Sequence, residues 1–421
     1  MQAAYLTIRD KKPDISVALL TGGGDRPYAF GLATALISNA AAIDLIGSDN
    51  LDFPEFHNNP KVHFLNLRGD QGSHAGFLAK AMRVVAYYVR LIGYAAKARP
   101  QIFHILWNNK FQVFDRTLLM LYYKMLGKKI VLTAHNVNIG RRDSADSYLN
   151  RFTLKIQYLL SDHIFVHTET MKLELIEEFA VPDSRITVIP FGINNSVPNT
   201  ALKSPEAKKR LGVESHRKVI LFFGNIAPYK GLEYLVRAFQ KIAARRDEYG
   251  LIIAGRPKDC VKYWTAIQQT IADDVLRKRI VVHAVYIPDE HTEIYFKAAD
   301  LLVLPYTYIY QSGVMFLGHS FGLPVVASDV GSLKEDIVEG KNGFLFRSED
   351  SNDLARVIEQ YFDSELFANL EDRRNEIRHN AVAVHSWDIV SHLTMGVYAK
   401  LLQLPSAGDL SSRGSATCRF M

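Results

Sequence analysis

Short apolar runs alternate with stretches of helical periodicity along most of this chain. The runs have the length of buried strands, and the stretches between them repeat apolar residues every three or four positions, as one face of a helix does. In the first half, the predicted strands are 15–21, 43–46, 62–67, 102–107, 130–134, 163–166 and 186–191, and the predicted helices are 30–37, 77–97, 115–126, 149–160 and 170–179. Strands that alternate with helices favour a parallel sheet covered on both faces.

The alternation stops at 195–217, where Asn, Ser, Pro, Lys and Glu dominate, and then restarts. The second half has predicted strands at 219–223, 251–254, 280–285, 301–304, 325–327 and 344–346, and predicted helices at 232–245, 261–276, 291–299, 312–321, 333–338 and 352–362. The pattern therefore predicts two doubly wound α/β domains, at 1–195 and 218–385. Ligands of such sheets bind outside the carboxyl ends of the strands, so two facing sheets would share one cleft.

A last amphipathic helix is predicted from about 386 to 404, with Trp387, Val390 and Leu401 among its apolar positions. Its pattern alone allows it to dock on either domain. Residues 405–421 form a polar tail with too little apolar surface to order itself.

The composition is that of a soluble globular protein, with 421 residues, 48% hydrophobic and 22% charged. The two cysteines, Cys260 and Cys418, lie far apart without metal-ligand spacing, which favours a reducing compartment. We find no leader-like segment and no apolar run of membrane-spanning length, so we expect a cytoplasmic protein. The net charge of +6 weakly favours an anionic partner, and no nucleic-acid partner is expected.

One candidate anion site lies at 219–245, where a strand, a glycine-bounded turn and a helix follow one another. The apolar run leads into Gly224, the turn closes at Gly231, and the helical pattern begins at Leu232. Free backbone N–H groups and the positive end of a helix dipole favour anions at such a helix start, and Lys230 adds a full charge. The alternative is an ordinary turn with a solvated lysine.

A second candidate anion site follows the strand 301–304. Ser312 is placed to cap a short helix, which leaves the amides of Gly313 and Val314 as donors in its first turn. The two sites could share one diphosphate. The alternative is a plain capped helix.

His135 ends the strand 130–134 and is the candidate catalytic residue. A histidine at a strand end can donate a hydrogen bond to a sugar hydroxyl or move a proton. The alternative is a histidine hydrogen-bonded to backbone. Asn136, next along the chain, is expected to point to the other face. The run Gly22-Gly23-Gly24 follows the first strand in the same way and is expected to form a glycine loop of the cleft.

Several short motifs spread over both predicted domains. They are Gly224-Asn225-Ile226-Ala227-Pro228-Tyr229-Lys230-Gly231, Leu251-Ile252-Ile253-Ala254-Gly255, Ala299-Asp300-Leu301-Leu302-Val303-Leu304-Pro305-Tyr306, Gly322-Leu323-Pro324-Val325-Val326-Ala327-Ser328-Asp329-Val330-Gly331, His167-Thr168-Glu169, Val188-Ile189-Pro190-Phe191-Gly192 and Ser386-Trp387. In these motifs and their order, the chain from about residue 15 to 402 resembles a retaining glycosyltransferase of family four, with the two-domain GT-B fold.

The resemblance implies transfer of a sugar from a nucleoside-diphosphate sugar, held by the C-terminal domain, to a sugar or lipid-linked acceptor on the N-terminal domain. It places the diphosphate on Lys230 and the transferred sugar on His135, and it implies that the last helix crosses back to the N-terminal domain. Gly224, Asn225, Gln311, Ser312, Gly313 and Val314 would complete the donor site. No metal and no cofactor beyond the donor is implied, and polysaccharide, glycolipid or glycoconjugate synthesis is the expected setting.

The chain departs from the family pattern at two places. In the family, an arginine usually comes soon after the glycine that corresponds to Gly224. Here that arginine is missing, and Asn225 and Ala227 are the candidates for its position. Two glutamates usually precede the Gly-x-Pro-Val-Val run, and their slots hold Ile309 and Leu317. Because of these losses, the sequence does not identify the sugar or the nucleotide of the donor. They also keep open a catalytically silent module of the same fold, while a nucleotide-sugar epimerase would need carboxylates that these loops lack.

The helix 77–97 carries a basic stripe made of Lys80, Arg83, Arg90 and Lys97, opposite apolar residues that include Leu78, Val85 and Val89. Such a stripe could bind the anionic inner face of a membrane and make the protein peripheral. The alternative is an ordinary solvated face.

Overall fold

A computed structural model describes residues 15–70, 77–142, 145–194, 197–258, 260–272 and 277–404. The strands are β1 (Ser16–Leu20), β2 (Ala42–Gly47), β3 (Val62–Asn66), β4 (Ile102–Ile105), β5 (Lys129–Thr133), β6 (His163–Val166), β7 (Ile186–Val188), β8 (Lys218–Phe223), β9 (Tyr249–Ala254), β10 (Ile280–His283), β11 (Leu301–Leu304), β12 (Val325–Ser328) and β13 (Gly343–Phe346). The tail predicted at 405–421 lies outside the described residues.

The described helices pack on both faces of the two sheets that these strands form. They are α1 (Arg26–Ser38), α2 (Phe77–Lys97), α3 (Gln112–Phe114), α4 (Met120–Met125), α5 (Ile139–Arg142), α6 (Tyr148–Leu160), α7 (Glu169–Phe179), α8 (Ser204–Arg210), α9 (Leu232–Ala243), α10 (Val261–Ile271), α11 (Asp289–Ala298), α12 (Gly313–Ser320), α13 (Leu333–Asp336), α14 (Ser351–Phe362), α15 (Glu365–Ala368), α16 (Leu370–His385) and α17 (Trp387–Leu401), with a π-helical turn at Asp115–Leu119.

The N-terminal sheet has seven parallel strands in the order β3-β2-β1-β4-β5-β6-β7. Its centre is apolar, and β1 pairs with β2 on one side and β4 on the other, with Val17 opposite both Ile43 and Ile102. The strand order reverses between β1 and β4. A doubly wound sheet has its ligand crevice at this point, so the loops that follow β1 and β4 are the expected floor of a site.

The C-terminal sheet has six parallel strands in the order β10-β9-β8-β11-β12-β13. Its order reverses between β8 and β11, which are followed by the loops at 224–231 and 305–312. The prediction of two doubly wound α/β domains is therefore confirmed. Both reversal points carry the loops that the sequence marked as candidate sites.

Helix α17 leaves the C-terminal domain and completes the N-terminal one, as predicted. Its first residue, Trp387, lies on Gly31 of α1 and Gly192, and Nε1 of Trp387 donates to the carbonyl oxygen of Ile193 at 2.8 Å. A Cβ at Gly31 would come within 2.1 Å of the indole, so only glycine allows this contact. Farther along, Tyr398 is fully buried and its hydroxyl lies 2.6 Å from Nδ1 of His104.

Several elements differ from the sequence prediction. Strand β4 ends at Ile105 rather than 107, because the next residues leave the sheet at the reversal point. Helix α16 was not predicted: of its sixteen residues only Leu370, Ile377 and Ala381 are buried, so its apolar stripe is too narrow to stand out. Helix α8 lies inside the predicted connection at 195–217 and was not predicted either, because its sequence is mostly polar.

The apolar side of α2 does not face the core. Leu78, Val85 and Val89 are 78%, 57% and 65% exposed, whereas Tyr87 and Leu91 are buried against the sheet. The exposed side is thus apolar along one stripe and basic along another. Within the described residues, no helix combines the length and the apolar character needed to cross a bilayer.

Candidate active site in the interdomain cleft

The two reversal points face each other across a cleft that contains a cavity of about 380 Å³. The N-terminal wall is formed by the start of α1, the segment after β7 and the first residue of α17. The C-terminal wall is formed by the loops after β8, β9 and β10 and by the start of α12. The lining residues include Asp25, Tyr28, Phe191, Asn194 and Trp387 on one wall and Gly224, Asn225, Arg256, Tyr286, Asp289, Gly313, Val314 and Leu317 on the other.

Lys230 lies immediately behind the glycine loop of the C-terminal wall. A Cβ at Gly224, whose φ is +102°, would stand 3.2 Å from Nζ of Lys230. The lysine is 7% exposed, and Nζ donates to the hydroxyl of Tyr306 at 3.2 Å. Among the described residues no carboxylate pairs with it, and burial lowers the pKa of Lys230. The site therefore holds a buried cation with no opposite charge beside it.

The loop before α12 contributes backbone more than side chains. Gly313 and Val314 line the cavity, whereas Ser312 is buried at the N-cap position without a side-chain capping hydrogen bond. The side-chain oxygen of Gln311 accepts from the hydroxyl of Ser332 at 2.5 Å, so this side chain is held behind the loop. Of the predicted donor residues, Gly224, Asn225, Gly313 and Val314 thus meet at the cavity, with Lys230, Gln311 and Ser312 behind them.

Apolar residues, Ile309 and Leu317, occupy the two positions at which the family usually has glutamates. Leu317 and Ile309 are both buried in the same apolar cluster of the C-terminal domain, and Leu317 also lines the cavity. Of the two positions, that of Leu317 therefore borders the cleft cavity.

Arg256 was missed by the sequence analysis, although only Gly255 separates it from the carboxyl end of β9. The loops after β8 and β9 are joined by hydrogen bonds, from Ile226 N to Arg256 O at 2.9 Å and from Lys258 N to Ile226 O at 3.0 Å. The Arg256 guanidinium lies 5.7 Å from the ring centroid of Tyr286, which follows β10. Because ligands of such sheets bind beyond the carboxyl ends of the strands, a search of the residues after β9 and β10 would have found both Arg256 and Tyr286. Arg256 supplies a cation close to the position where the family arginine is missing.

The glycine run at 22–24 packs against Trp107, which follows β4. A Cβ at Gly24 would lie 2.0 Å from the indole, and one at Gly22, where φ is +57°, would lie 2.1 Å from the Trp107 carbonyl oxygen. These glycines do not line the cavity themselves. They let the chain turn tightly so that Asp25 enters the cleft, where its Oδ1 accepts from Tyr28 N at 2.9 Å.

His135 lies one aromatic layer away from the cleft. Its ring stacks on Trp107 with a centroid distance of 4.1 Å, and Tyr28, which lines the cleft, meets it edge-on at 4.6 Å. Nδ1 of His135 is 3.0 Å from Nε2 of His167, while its own Nε2 is buried without a protein partner among the described residues. Burial, together with the two nearby histidines His167 and His104, holds the pKa of His135 well below its usual range.

His135 borders a second, smaller cavity, and Asn136 borders the same one. Every residue from Leu132 to Val137 lines this cavity, so the lining does not separate the directions of the two side chains, and the expectation that Asn136 points to the other face stays a prediction.

Tyr310 joins the two domains beside the cleft. Its hydroxyl accepts from the backbone N of Asn138 at 3.0 Å and donates to the carboxylate of Glu174 at 2.8 Å. Thr170 also bonds Glu335 across the domains, and the Arg142 guanidinium lies 4.6 Å from the ring centroid of Tyr229. These contacts between the N-terminal and C-terminal domains hold the cleft closed in this structure.

Sequence comparisons match the two domains separately. Residues 22–197 match the model of Glycosyltransferase Family 4, and residues 217–364 match that of Glycosyl transferases group 1. An uncharacterized glycosyltransferase of Methanocaldococcus jannaschii is 25% identical over 394 residues, which cover 91% of this chain and 95% of that protein.

Solved structures with the same fold cover nearly the whole chain. Sucrose-phosphate synthase from Thermosynechococcus elongatus has a TM-score of 0.75 at 17% identity, covering 93% of this chain and 100% of that one. HepE of Anabaena in complex with UDP and glucose has a TM-score of 0.71 at 16% identity, with the same coverage. Within the described ranges, no three His, Cys, Asp or Glu side chains are grouped so as to hold a metal ion.

Proposed function

We propose that this chain, whose two domains belong to the group 1 and family 4 glycosyltransferases of GT-B fold, transfers a sugar from a nucleoside-diphosphate sugar to an acceptor. The observation that carries the proposal is the buried, uncompensated charge of Lys230 behind the Gly224 loop. A buried cation without an opposite charge is costly unless a ligand supplies one. A diphosphate in the cleft would do so.

The donor would lie with its diphosphate between Lys230 and the start of α12. The first-turn amides of Gly313 and Val314 lack intrahelical partners and offer N–H groups to the phosphate oxygens. Arg256 adds a second cation on the same wall. As the acceptor oxygen replaces the diphosphate on the sugar, negative charge grows on the leaving group, and these fixed donors stabilise it.

We further propose that transfer retains the anomeric configuration and that His135 acts at the sugar, as the resemblance to family four implies. Its Nε2 has no hydrogen-bond partner within the described part of the chain, which leaves it able to bond a hydroxyl. Because Tyr28 separates the ring from the donor cavity, this contact requires the sugar to reach past Tyr28 or the tyrosine to move.

The test is a panel of nucleoside-diphosphate sugars, starting with UDP-glucose because the HepE structure holds UDP and glucose. We expect one donor to raise the melting temperature and to release free nucleoside diphosphate only when an acceptor is added. Binding without release under any acceptor would support the silent module instead. Conversion of the donor sugar without an acceptor would support an epimerase.

We also propose that α2 rests on an anionic membrane surface. Its apolar stripe at Leu78, Val85 and Val89 is exposed, and so are the basic residues Lys80, Arg90 and Lys97 on another side of the helix. Exposed apolar and basic surfaces on one helix suit insertion among lipid headgroups. Binding to vesicles that contain anionic phosphatidylglycerol should fall when Val85 and Val89 are changed to Ser, and should be absent on neutral vesicles. Equal binding of the wild-type protein and this variant would contradict the proposal.

A further inference from the structure

The cavity beside His135 is a pocket within the N-terminal domain, of about 150 Å³. It lies at the carboxyl ends of β4 and β5, under α6 and the π-helical turn at Asp115–Leu119. Its wall is rich in uncharged hydrogen-bonding side chains, namely Asn108, Gln112, Asn136 and Gln157. None of the described carboxylates lines it. This pocket shares no lining residue with the cavity of the interdomain cleft.

Arg116 is the charged group of this pocket and is 4% exposed. Within the described residues its hydrogen-bond partners are neutral: one terminal nitrogen donates to Asn150 Oδ1 at 2.9 Å and to Thr153 Oγ1 at 3.4 Å, and the other donates to Gln112 Oε1 at 2.8 Å. Its Nε is buried with no partner among the described residues.

The adjacent carboxylate does not neutralise this arginine by contact. Asp115 is buried as well, but its Oδ1 accepts from Tyr88 at 2.9 Å and from Asn109 at 3.2 Å, and no ion pair joins it to Arg116 within 4.0 Å. Burial lowers the pKa of Arg116 and raises that of Asp115, which are the directions expected for charges without close partners. A π-helical turn is rare and is often found at functional sites.

We propose that this pocket binds an anionic oxygen group of the acceptor, a phosphate or a carboxylate, and that Arg116 is its positive contact. The inference rests on the proposed function, because it assigns the pocket to the acceptor. Arginine presents several N–H groups in a planar fork that suits such oxyanions. His135 borders both the pocket and Tyr28 of the cleft, so a group held on Arg116 would anchor the acceptor next to the transferred sugar.

Gln112→Glu is the decisive variant. Gln112 is exposed at the rim and accepts from Arg116, so a glutamate there would give the arginine an opposite charge without emptying the pocket. A structural arginine would be stabilised by this change. If the pocket binds anions, the variant should keep or raise its melting temperature yet bind inorganic phosphate at least tenfold more weakly. Arg116→Gln should lose phosphate binding too, and Arg151→Gln, on the exposed side of α6, should retain it.

Inorganic phosphate is titrated by calorimetry at constant ionic strength in a Lys230→Ala background, which removes the contribution of the donor site. Phosphate binding that persists in Lys230→Ala and disappears with Gln112→Glu supports the inference, and acetate used in place of phosphate distinguishes the two oxyanions. Phosphate binding unchanged by Gln112→Glu, or no binding of either anion, would overturn it. Nucleoside diphosphate binding is measured on the same variants, so failure of the donor site and failure of this pocket remain distinguishable.

Discussion

Lys230 places a positive charge where the surrounding protein offers no opposite one. Its amino group is buried, bonds only the Tyr306 hydroxyl among the described residues, and lies against the glycine backbone of the cleft. A solvated lysine was the alternative interpretation of the sequence, and the burial of this side chain argues against it.

Lys230→Ala should lower the affinity for nucleoside diphosphate by about 10- to 150-fold, because a charge-assisted contact contributes roughly 1.5–3 kcal/mol. Titration calorimetry measures this. Lys241→Ala is the matched control, since Lys241 lies on the exposed side of α9 and bonds Ser351 and Asn352. Equal affinities of wild type and a folded Lys230→Ala protein would place the diphosphate elsewhere.

His135→Ala should reduce turnover while nucleoside diphosphate affinity stays nearly unchanged. The ring lies behind Tyr28, on the wall opposite Lys230, so its loss removes a contact at the sugar and leaves the diphosphate contacts in place. Steady-state kinetics with a verified acceptor, together with calorimetry, separate the two effects. Full activity of the variant would make His135 a structural residue.

Sequence reasoning found the residues of the site that follow strands in recognisable motifs, such as Gly224 and Lys230. It could not find the aromatic layer around His135, because Tyr28, Trp107 and Phe191 come from three distant segments and meet only in the folded chain. Nor could it show that Leu317 borders the cleft while Ile309 does not. Side-chain direction in irregular loops is set by tertiary contacts that periodicity does not encode.

At the scale of elements, the inner strands of both sheets, such as β4, β6, β9 and β11, were predictable because each is short, apolar and uniformly buried. Helices with wide apolar faces, such as α9 and α14, were predictable for the same reason. Helix α16 was missed because its exposed surface outweighs its buried stripe. Helix α2 was predicted from its apolar pattern, but the residues of that pattern lie on the exposed surface and not in the core.

The docking of α17 depends on its first residue. Trp387→Ala should destabilise the protein by about 3–5 kcal/mol, because it empties a buried site between Gly31 and Gly192 and leaves the Ile193 carbonyl without its indole donor. Chemical denaturation followed by circular dichroism gives the change in unfolding free energy. Leu393→Ala on the same helix, where the leucine is 37% exposed, should cost much less. Similar losses for both variants would contradict this assignment.

At the scale of the whole molecule, Tyr310 holds the two domains together. Tyr310→Phe removes the hydroxyl that bonds both Asn138 and Glu174, so the cleft should open more often and the radius of gyration should increase. Small-angle X-ray scattering measures this. Tyr234→Phe removes a hydroxyl that bonds Glu349 within the C-terminal domain and should leave the radius unchanged. An unchanged radius in Tyr310→Phe would show that other contacts keep the cleft closed.

Buried histidines in both domains predict acid lability. Burial lowers the pKa of His104 to about 3 and the pKa values of His167 and His319 to about 4. Below the unfolded value near 6.5 the unfolded chain takes up protons that the folded one excludes, so stability is full above pH 6.5 and falls toward pH 4. Each histidine contributes up to about 1.4 kcal/mol per pH unit.

Unfolding free energies measured from pH 7 to pH 4.5 should therefore decrease steadily. His104→Gln should make the decrease shallower, whereas His291→Gln, at an exposed position, should not. A decrease of the same steepness in all three proteins would assign acid lability to other groups.

The crossing of α17 also fixes when the protein can finish folding during its synthesis. The N-terminal sheet is made first, but part of its core, including Trp387, Val390 and Tyr398, emerges from the ribosome only after the entire C-terminal domain. Until then α1 lacks its covering helix, and its apolar surface is open to chaperones or to other nascent chains. A nascent chain of which only the residues before 387 have emerged from the ribosome would thus carry a complete C-terminal domain beside an N-terminal domain that lacks its last helix.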